Sequence, residues 1–241
     1  MSATDLLIVG AGGFARETAE AVHAVNDVRP TWRLRGFLDD DPARHGAVVC
    51  GLAILGPSEL VHDHPDAAVL ICTGRPTDYV SRRRIAARLD LPEERYATVV
   101  HPTASVGRSC AVGRGTVLLA HVDVTADVVV GRFVAVMPQV VLTHDVRIGD
   151  WASLAAAVRV GGSCRVGQEV YLGSGACVRE GVSIGRRAMI GMAAVVVDDV
   201  PAERLWYGSP ARDHGPAPLP DREPALTAWI DERGLSAASP A

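Results

Sequence analysis

The sequence predicts a small α/β domain with a parallel sheet, followed by a β-helix assembled from six-residue repeats. Three observations predict it. A buried-strand run, a glycine turn and an Ala-rich helix open the chain, an aliphatic residue recurs every six positions through the second half, and turn residues, often glycine, directly follow those aliphatics.

In the opening unit Leu6-Leu7-Ile8-Val9 reads as a buried strand, Gly10 to Gly13 as a tight turn and Phe14 to Val25 as a helix. Trp32 to Leu38 reads as a second strand running into Asp39-Asp40-Asp41, Ala67 to Cys72 as another, and Val80 to Leu89 as a basic helix. Arg82-Arg83-Arg84 reads as a solvated face of that helix. Strands alternating with helices make a parallel sheet. A glycine turn entering a helix presents backbone N–H groups and the positive end of the helix dipole, where a phosphate can sit. Many dinucleotide-binding proteins share the G-x-G-x-x-A spacing of Gly10, Gly12 and Ala15, as do others that bind no nucleotide, so the pattern leaves the ligand open.

Six-residue steps from Val100 meet Val106, Val112, Leu118 and so on to Val196, every one a branched aliphatic. A second series, from Ala104 to Val200, is offset by four and contains no bulky or charged residue. A helix would repeat at 3.6 and a simple strand at 2.0, so a period of six means short strands joined by tight corners. Three hexads make one triangular coil, and five to six coils stacked at ~4.8 Å make a prism roughly 27 Å tall. Gly113, Gly131, Gly149 and Gly167, each just after an aliphatic, are expected to turn those corners with positive φ.

The formal charge of −4 and a pI near 6.0 give no general attraction to nucleic acid or to anionic lipid. No apolar run approaches the ~18 residues of a membrane span and the first residues do not read as a signal peptide, so the expectation is a cytoplasmic protein. Five scattered cysteines, an odd number without a C-x-x-C pair, read as small core residues rather than as a disulfide framework or a zinc knuckle.

Of eight histidines, His23, His45, His62, His64 and His214 read as surface or loop, and His101 as a cap or packing residue at the domain junction. His121 has only Asp123 nearby as an acid. His144, in Leu142-Thr143-His144-Asp145-Val146-Arg147-Ile148-Gly149, projects near a corner with a carboxylate beside it. Imidazole is the side chain suited to taking a proton near neutrality. A zinc carbonic anhydrase on the same repeat needs three histidines around one metal, and the repeat offers only His121 and His144.

The glycine-turn domain ending in Phe37-Leu38-Asp39-Asp40, the His144-Asp145 pair followed by Ile148-Gly149-Asp150, and the closing Gly208-Ser209-Pro210-Ala211-Arg212 together resemble the sialic-acid O-acetyltransferase and bacillosamine or perosamine N-acetyltransferase family. The resemblance implies a Rossmann-like nucleotide(-sugar)-binding domain over residues 1–98, a left-handed β-helix over 99–212, a tail over 213–241, and a homotrimer. A short helix from about Arg222 to Arg233 is expected to help cover the end coil. The implied catalytic pair is His144 as general base with Asp145 tuning it, and a backbone N–H in the next corner would stabilise the oxyanion. Gly12, Gly13 and Phe14 would approach a diphosphate, Asp39 and Asp40 the base or ribose, and Gly74 the same cleft. Many members carry histidine where this chain has Phe14, so that contact is backbone only. Ser153, Ser174 and Met192 would contact acetyl-CoA, the co-substrate, with neither metal nor NAD involved.

The expected function is N-acetylation of a nucleotide-linked aminosugar. O-acetylation of a free sugar of the sialic-acid type, or acetylation of another small hydroxyl or amine acceptor, is the alternative within the class, and a non-catalytic trimeric scaffold or nucleotide sensor is the alternative outside it.

Overall fold

The computed structural model describes residues 3–220. Its first sheet is built from β1 (Thr4–Val9), β2 (Trp32–Leu38), β3 (Val48–Val49), β4 (Leu52–Gly56) and β5 (Ala68–Ile71), in the order β3-β4-β2-β1-β5. All neighbours run parallel except the β3–β4 hairpin, which closes one edge. β1 is the central apolar run, with Leu6, Leu7 and Ile8 fully buried. α1 (Gly13–Val28) carries the chain from β1 to β2 and buries Ala15, Ala19 and Val22, the i, i+4, i+7 stripe of a helix lying on a sheet. α2 (Ser81–Leu89) follows β5. The β3–β4 hairpin escapes a sequence reading because two adjacent valines around Cys50-Gly51 carry no alternation long enough to signal a strand.

Seventeen two-residue strands follow, from β6 (Val99–Val100) to β22 (Val195–Val196), six residues apart. They fall in rotation on three parallel sheets, the faces of a triangular prism. Coils are sewn together by backbone bonds one turn apart, for example Ser105 N–H to Val122 O (2.8 Å), Val141 N–H to Val158 O (2.9 Å) and Cys177 N–H to Ala194 O (2.8 Å). Both aliphatic series point inward from Leu118 to Val200 and form one continuous buried core, while the first coil is less covered and Val106 stays 36% exposed. The far end is closed by a hairpin of β23 (Arg204–Gly208) and β24 (Ala211–Pro216), which seats Ala211 on the last coil. β24 runs beyond Arg212, so the first residues of the expected tail belong to the cap. Ala217 and Leu219 then pack on Tyr79 and Val80 of the N-terminal domain. The helix expected over 222–233 lies outside the described residues.

The glycines after the aliphatics need a different explanation from the one given above. Gly113, Gly131, Gly149 and Gly167 do not have positive φ. Each lies so close to the next coil that a Cβ would meet its backbone, 2.6 Å from Gln168 N at Gly149 and 2.7 Å from Arg186 N at Gly167. The left-handed residue comes two positions later, at His121, Asp127, Phe133, Gln139, Asp145, Trp151, Ala157, Ser163, Glu169, Gly175, Gly181, Arg187 and Ala193. Close stacking, not turn handedness, selects glycine at the first site.

One prism face is covered by the N-terminal domain. Its outward residues are Val99, Val117, Ala135, Ser153, Tyr171 and Met189, none of them charged. Val117 and Leu119 share a cluster with Leu6 and Ile8, and Phe133 shares another with Leu7, Val9 and Leu89. Phe133 stacks flat on Trp151 (4.0 Å between centroids, 6° between planes) and meets Tyr96 edge-on at 4.7 Å. The Arg82-Arg83-Arg84 face is not simply solvated. Arg82 is 2% exposed and enters the seam, and Arg83 pairs with the buried Glu169 at 2.7 Å.

Two glycine substitutions separate stacking from turning. Gly149→Ala drives a Cβ into Gln168 N and is expected to cost about 1–3 kcal/mol, as overpacking does. Gly181 has φ +74 but open space around it, and Ala157 and Ala193 already occupy equivalent corners, so Gly181→Ala should cost about 1–2 kcal/mol or less. Thermal unfolding should place Gly149→Ala below Gly181→Ala, and the reverse order would contradict the stacking account.

Candidate active site

A cleft of about 640 Å³ opens at the ends of β1, β2 and β5, where the glycine turn meets α1. Gly12, Gly13, Phe14, Asp39, Asp40 and Gly74 all line it, so the structure brings together the whole set expected there. Gly12 is the N-cap of α1, no side chain caps the helix and no acid sits in its first turn. Its leading N–H groups and positive dipole end therefore face the cleft uncompensated. Phe14 lines the cleft and also packs, half-buried, against the apolar core of the domain.

The two aspartates are already engaged. Asp39 accepts from Ala11 N (3.2 Å) and from Arg44 Nη1 (2.6 Å), while Arg44 Nη2 also donates to Ala11 O. Asp40 accepts from Ser58 N, from Ser58 Oγ (2.6 Å) and from Arg88 Nη2 (2.5 Å). Burial pushes the Asp40 carboxyl up, but hydrogen bonds from Ser58 and Arg88 outweigh it and hold the group below the usual carboxylate range. Sequence reasoning missed the cations of this cleft, Arg44, Arg75, Arg84 and Arg88. Arg84 pairs with Asp78 at 2.6 Å, so three of the four arrive as Arg–Asp pairs, and Arg75 stands exposed at the rim. For Arg84 and Arg88 the signal in the sequence was the arginine density of α2, which periodicity reads as solvation, whereas Arg44 and Arg75 lie in connecting segments outside it.

His144 stands at the edge between the two uncovered faces, between the strands Val141–Leu142 and Arg147–Ile148. Its side chain is 65% exposed, and Nδ1–H donates to Asp145 Oδ2 at 2.8 Å. A carboxylate only accepts, so this bond assigns the proton to Nδ1 and leaves Nε2 with a free lone pair. Asp145 takes the left-handed corner position (φ +62), which swings its carboxylate back toward the ring. Gly162 lies one coil above, directly against the imidazole. A Cβ there would fall on Cε1 and 2.5 Å from Nε2. The Gly162 N–H makes no hydrogen bond among the described residues. The Gly161-Gly162 pair one eighteen-residue coil beyond His144 was the available signal.

The residues expected at the acyl donor do not gather at one place in the chain. Ser174 and the 75% exposed Met192 stack on the edge between the covered face and one open face, away from the His144 edge. Ser153 does not fit the role. It is 9% exposed beneath the N-terminal domain, and its hydroxyl accepts from Arg82 at 2.9 Å. Serine at a prism position reads as a ligand contact only when the face is taken as open. His101 does cap a corner, accepting from Thr103 N at 3.1 Å. Among the described residues no cluster of three His, Cys, Asp or Glu side chains is placed to hold a metal, and no described helix is long and apolar enough to cross a membrane.

A parallel-sheet domain with a cationic cleft is thus seated on a hexad β-helix that carries an exposed His–Asp pair. Residues 5–89 match the family described as the PglD N-terminal domain. A UDP-N-acetylbacillosamine N-acetyltransferase of Bacillus subtilis is 31% identical over 121 residues, 48% of this chain and 51% of that one, so the match spans about half the length of that curated relative. A mutant GDP-perosamine N-acetyltransferase of Caulobacter crescentus, solved with CoA and GDP-perosamine, is 27% identical with a TM-score of 0.76, covering 88% of this chain and 97% of that one. The acetyltransferase domain of PglB from Neisseria gonorrhoeae is 26% identical with a TM-score of 0.75, covering 87% and 98%. In sequence and fold the chain is thus similar to sugar N-acetyltransferases of the bacillosamine and perosamine type.

Two outcomes test this geometry. Gly162→Ala should displace the ring and lower turnover by about tenfold or more while the protein stays folded, because the backbone there suits alanine. An unchanged turnover would mean the ring does not rest on Gly162. Asp40→Asn should lower Tm at pH 7. Because the folded carboxyl is held below its usual range, its stabilisation is complete at neutral pH and is lost as acid protonates it, so the gap to the parent should close on acidification. A gap that stays constant down to pH 3 would contradict the assignment.

Proposed function

We propose that this protein moves the acetyl group of acetyl-CoA to the amine of a nucleotide-linked aminosugar, as a cytosolic homotrimer with His144 as general base. The observation that carries the reading is the pairing of two sites on one chain. One is a cleft of four arginines and an uncapped helix N-terminus; the other is an imidazole whose Nδ1–H is spent on Asp145 and whose Nε2 is free. A free sugar of the sialic-acid type offers the four arginines a single carboxylate, whereas a diphosphate offers several anionic oxygens, which favours a nucleotide-linked acceptor over the free-sugar alternative. The B. subtilis and C. crescentus relatives are named as N-acetyltransferases of UDP- and GDP-linked sugars, and the latter was solved with CoA bound.

In this mechanism Nε2 of His144 takes the proton from the acceptor amine as its nitrogen attacks the thioester carbonyl. The free N–H of Gly162 donates to the oxygen as it becomes negative. The carbon–sulfur bond then breaks, and the imidazolium returns its proton to the departing thiolate. Asp145 keeps the ring oriented and offsets its transient charge. No covalent bond to the protein forms.

The placement of these groups supports the proposed assembly. His144 occupies the edge opposite the face that the N-terminal domain covers, so the prism itself separates a chain's cleft from its own imidazole. Ser174 and Met192 occupy a different edge again. Cyclic closure of three chains lets the cleft of one protomer, the imidazole of its neighbour and the donor groove between two prisms converge. Five unpaired cysteines suit a reducing compartment.

Acetyl-CoA with UDP- and GDP-linked aminosugars should release free thiol with the purified protein. His144→Ala should lower that rate by ~10² or more, yet keep the rise in Tm that the nucleotide diphosphate produces. A scaffold or nucleotide sensor would release no thiol with the unmodified protein.

A further inference from the structure

Arg82 is a buried charge in the seam that packing alone does not account for. Its guanidinium is 2% exposed, and no carboxylate is hydrogen-bonded to it among the described residues. All five of its bonds end on neutral oxygens: Nε–H on Phe133 O (3.1 Å), Nη1–H on Thr73 O (3.0 Å), and Nη2–H on Trp151 O (2.7 Å), Ala152 O (3.0 Å) and Ser153 Oγ (2.9 Å). Burial pushes this arginine down to about 10, offset in part by Cys72 and Glu169, so it stays charged at neutral pH. A buried cation caged by uncharged acceptors is costly, and a Leu or Met would fill the same space at less expense. Retaining the charge calls for a geometric reason.

The two ends of the guanidinium supply it. Thr73, the only acceptor on the N-terminal side, begins the Thr73-Gly74-Arg75 floor of the acceptor cleft. Gly74 sits with φ +137 hard against Nη1, where a Cβ would lie 2.9 Å away. Thr73 Oγ1 also meets Ser81 Oγ at 2.9 Å, one residue before Arg82, so the floor is held to the start of α2 twice. At the other end, Trp151, Ala152 and Ser153 belong to the coil that carries His144, and Phe133 to the coil beneath. The arginine thus ties the cleft floor to one particular level of the prism. Rotation about an axis parallel to the prism changes no heights, so a cleft fixed at the level of its own His144 coil is at the level of its neighbour's.

We propose that Arg82 is a positioning residue: it pins the floor of the acceptor cleft at the height of the catalytic coil, and so sets the acceptor's reach to the imidazole across the protomer interface. This rests on the acetyltransfer reading above.

The test is R82K in the full chain, which keeps the charge and loses the five-donor fork. The expected result is a rise of about tenfold or more in KM for UDP- or GDP-linked aminosugar, with KM for acetyl-CoA within about twofold of the parent. The Tm rise produced by UDP or GDP should shrink in step. An arginine that merely holds the domains together would lower Tm and leave acceptor KM unmoved, or shift both KM values alike; either result overturns the pin. If R82K does not fold, Ser153→Ala, which removes one acceptor of five, should raise acceptor KM about threefold and leave acetyl-CoA alone, and an unchanged acceptor KM overturns the proposal. Should the unmodified protein transfer no acetyl group to either sugar, the functional reading fails, while the response of R82K to UDP and GDP still decides the pin.

Discussion

Everything in this molecule depends on coils lying directly on one another at eighteen-residue intervals. The backbone bond from each strand to the next coil fixes the vertical spacing, and at the corner leading into the covered face that spacing leaves no room for a Cβ at Gly113, Gly131, Gly149, Gly167 or Gly185. Glycine there is a consequence of contact, as the 2.6–2.7 Å approaches at Gly149 and Gly167 demonstrate. The same spacing lays the imidazole of His144 on Gly162, because the residue one coil up lacks a Cβ. The placement of the His144 ring and the stability of the fold thus depend on one stacking distance.

The second organising element is the covered face. Its outward residues are small or apolar, whereas the open faces carry Asp123, Arg147, Arg159 and Arg165. Covering it with the N-terminal domain leaves His144 on the far edge of the prism, between the two open faces. The corner column Phe133, Trp151, Glu169 and Arg187 repeats one left-handed conformation with very different side chains. Its aromatic half packs against the α/β core and its charged half pairs with α2 and its own neighbours. In the cleft three arginines rest on aspartates, and these preformed pairs hold both partners in place, so the proposed diphosphate would meet guanidinium groups that are already ordered.

Much of this was legible in the sequence. The hexad series gave every inward residue of the prism, since a fixed period on one chain is read without knowing any partner. The β1-turn-α1 opening and His144-Asp145 were legible because their signals are local. What failed was non-local. Arg82 looked solvated because its neighbours Arg83 and Arg84 are, and only the docked prism shows that its side chain points inward. Ser153 looked like a ligand contact because nothing in the repeat tells which face another domain will cover. The role of the repeat glycines was misjudged for the same reason: a close approach between coils is invisible to residue-by-residue preference. Gly162 carried a readable sign, a doubled glycine one coil beyond the histidine, but its meaning appears only when the coils are stacked.

The claim that ties these parts together is that the cleft and the imidazole acting on one acceptor belong to different chains. Co-purified hybrids of His144→Ala with a cleft-blocked chain, Gly12→Trp, measure it directly, since each parent alone is inactive. The account predicts that the hybrids regain a substantial fraction of acetyl transfer, because mixed trimers contain interfaces with one intact cleft facing one intact histidine. Hybrids as inactive as the two parents would contradict it.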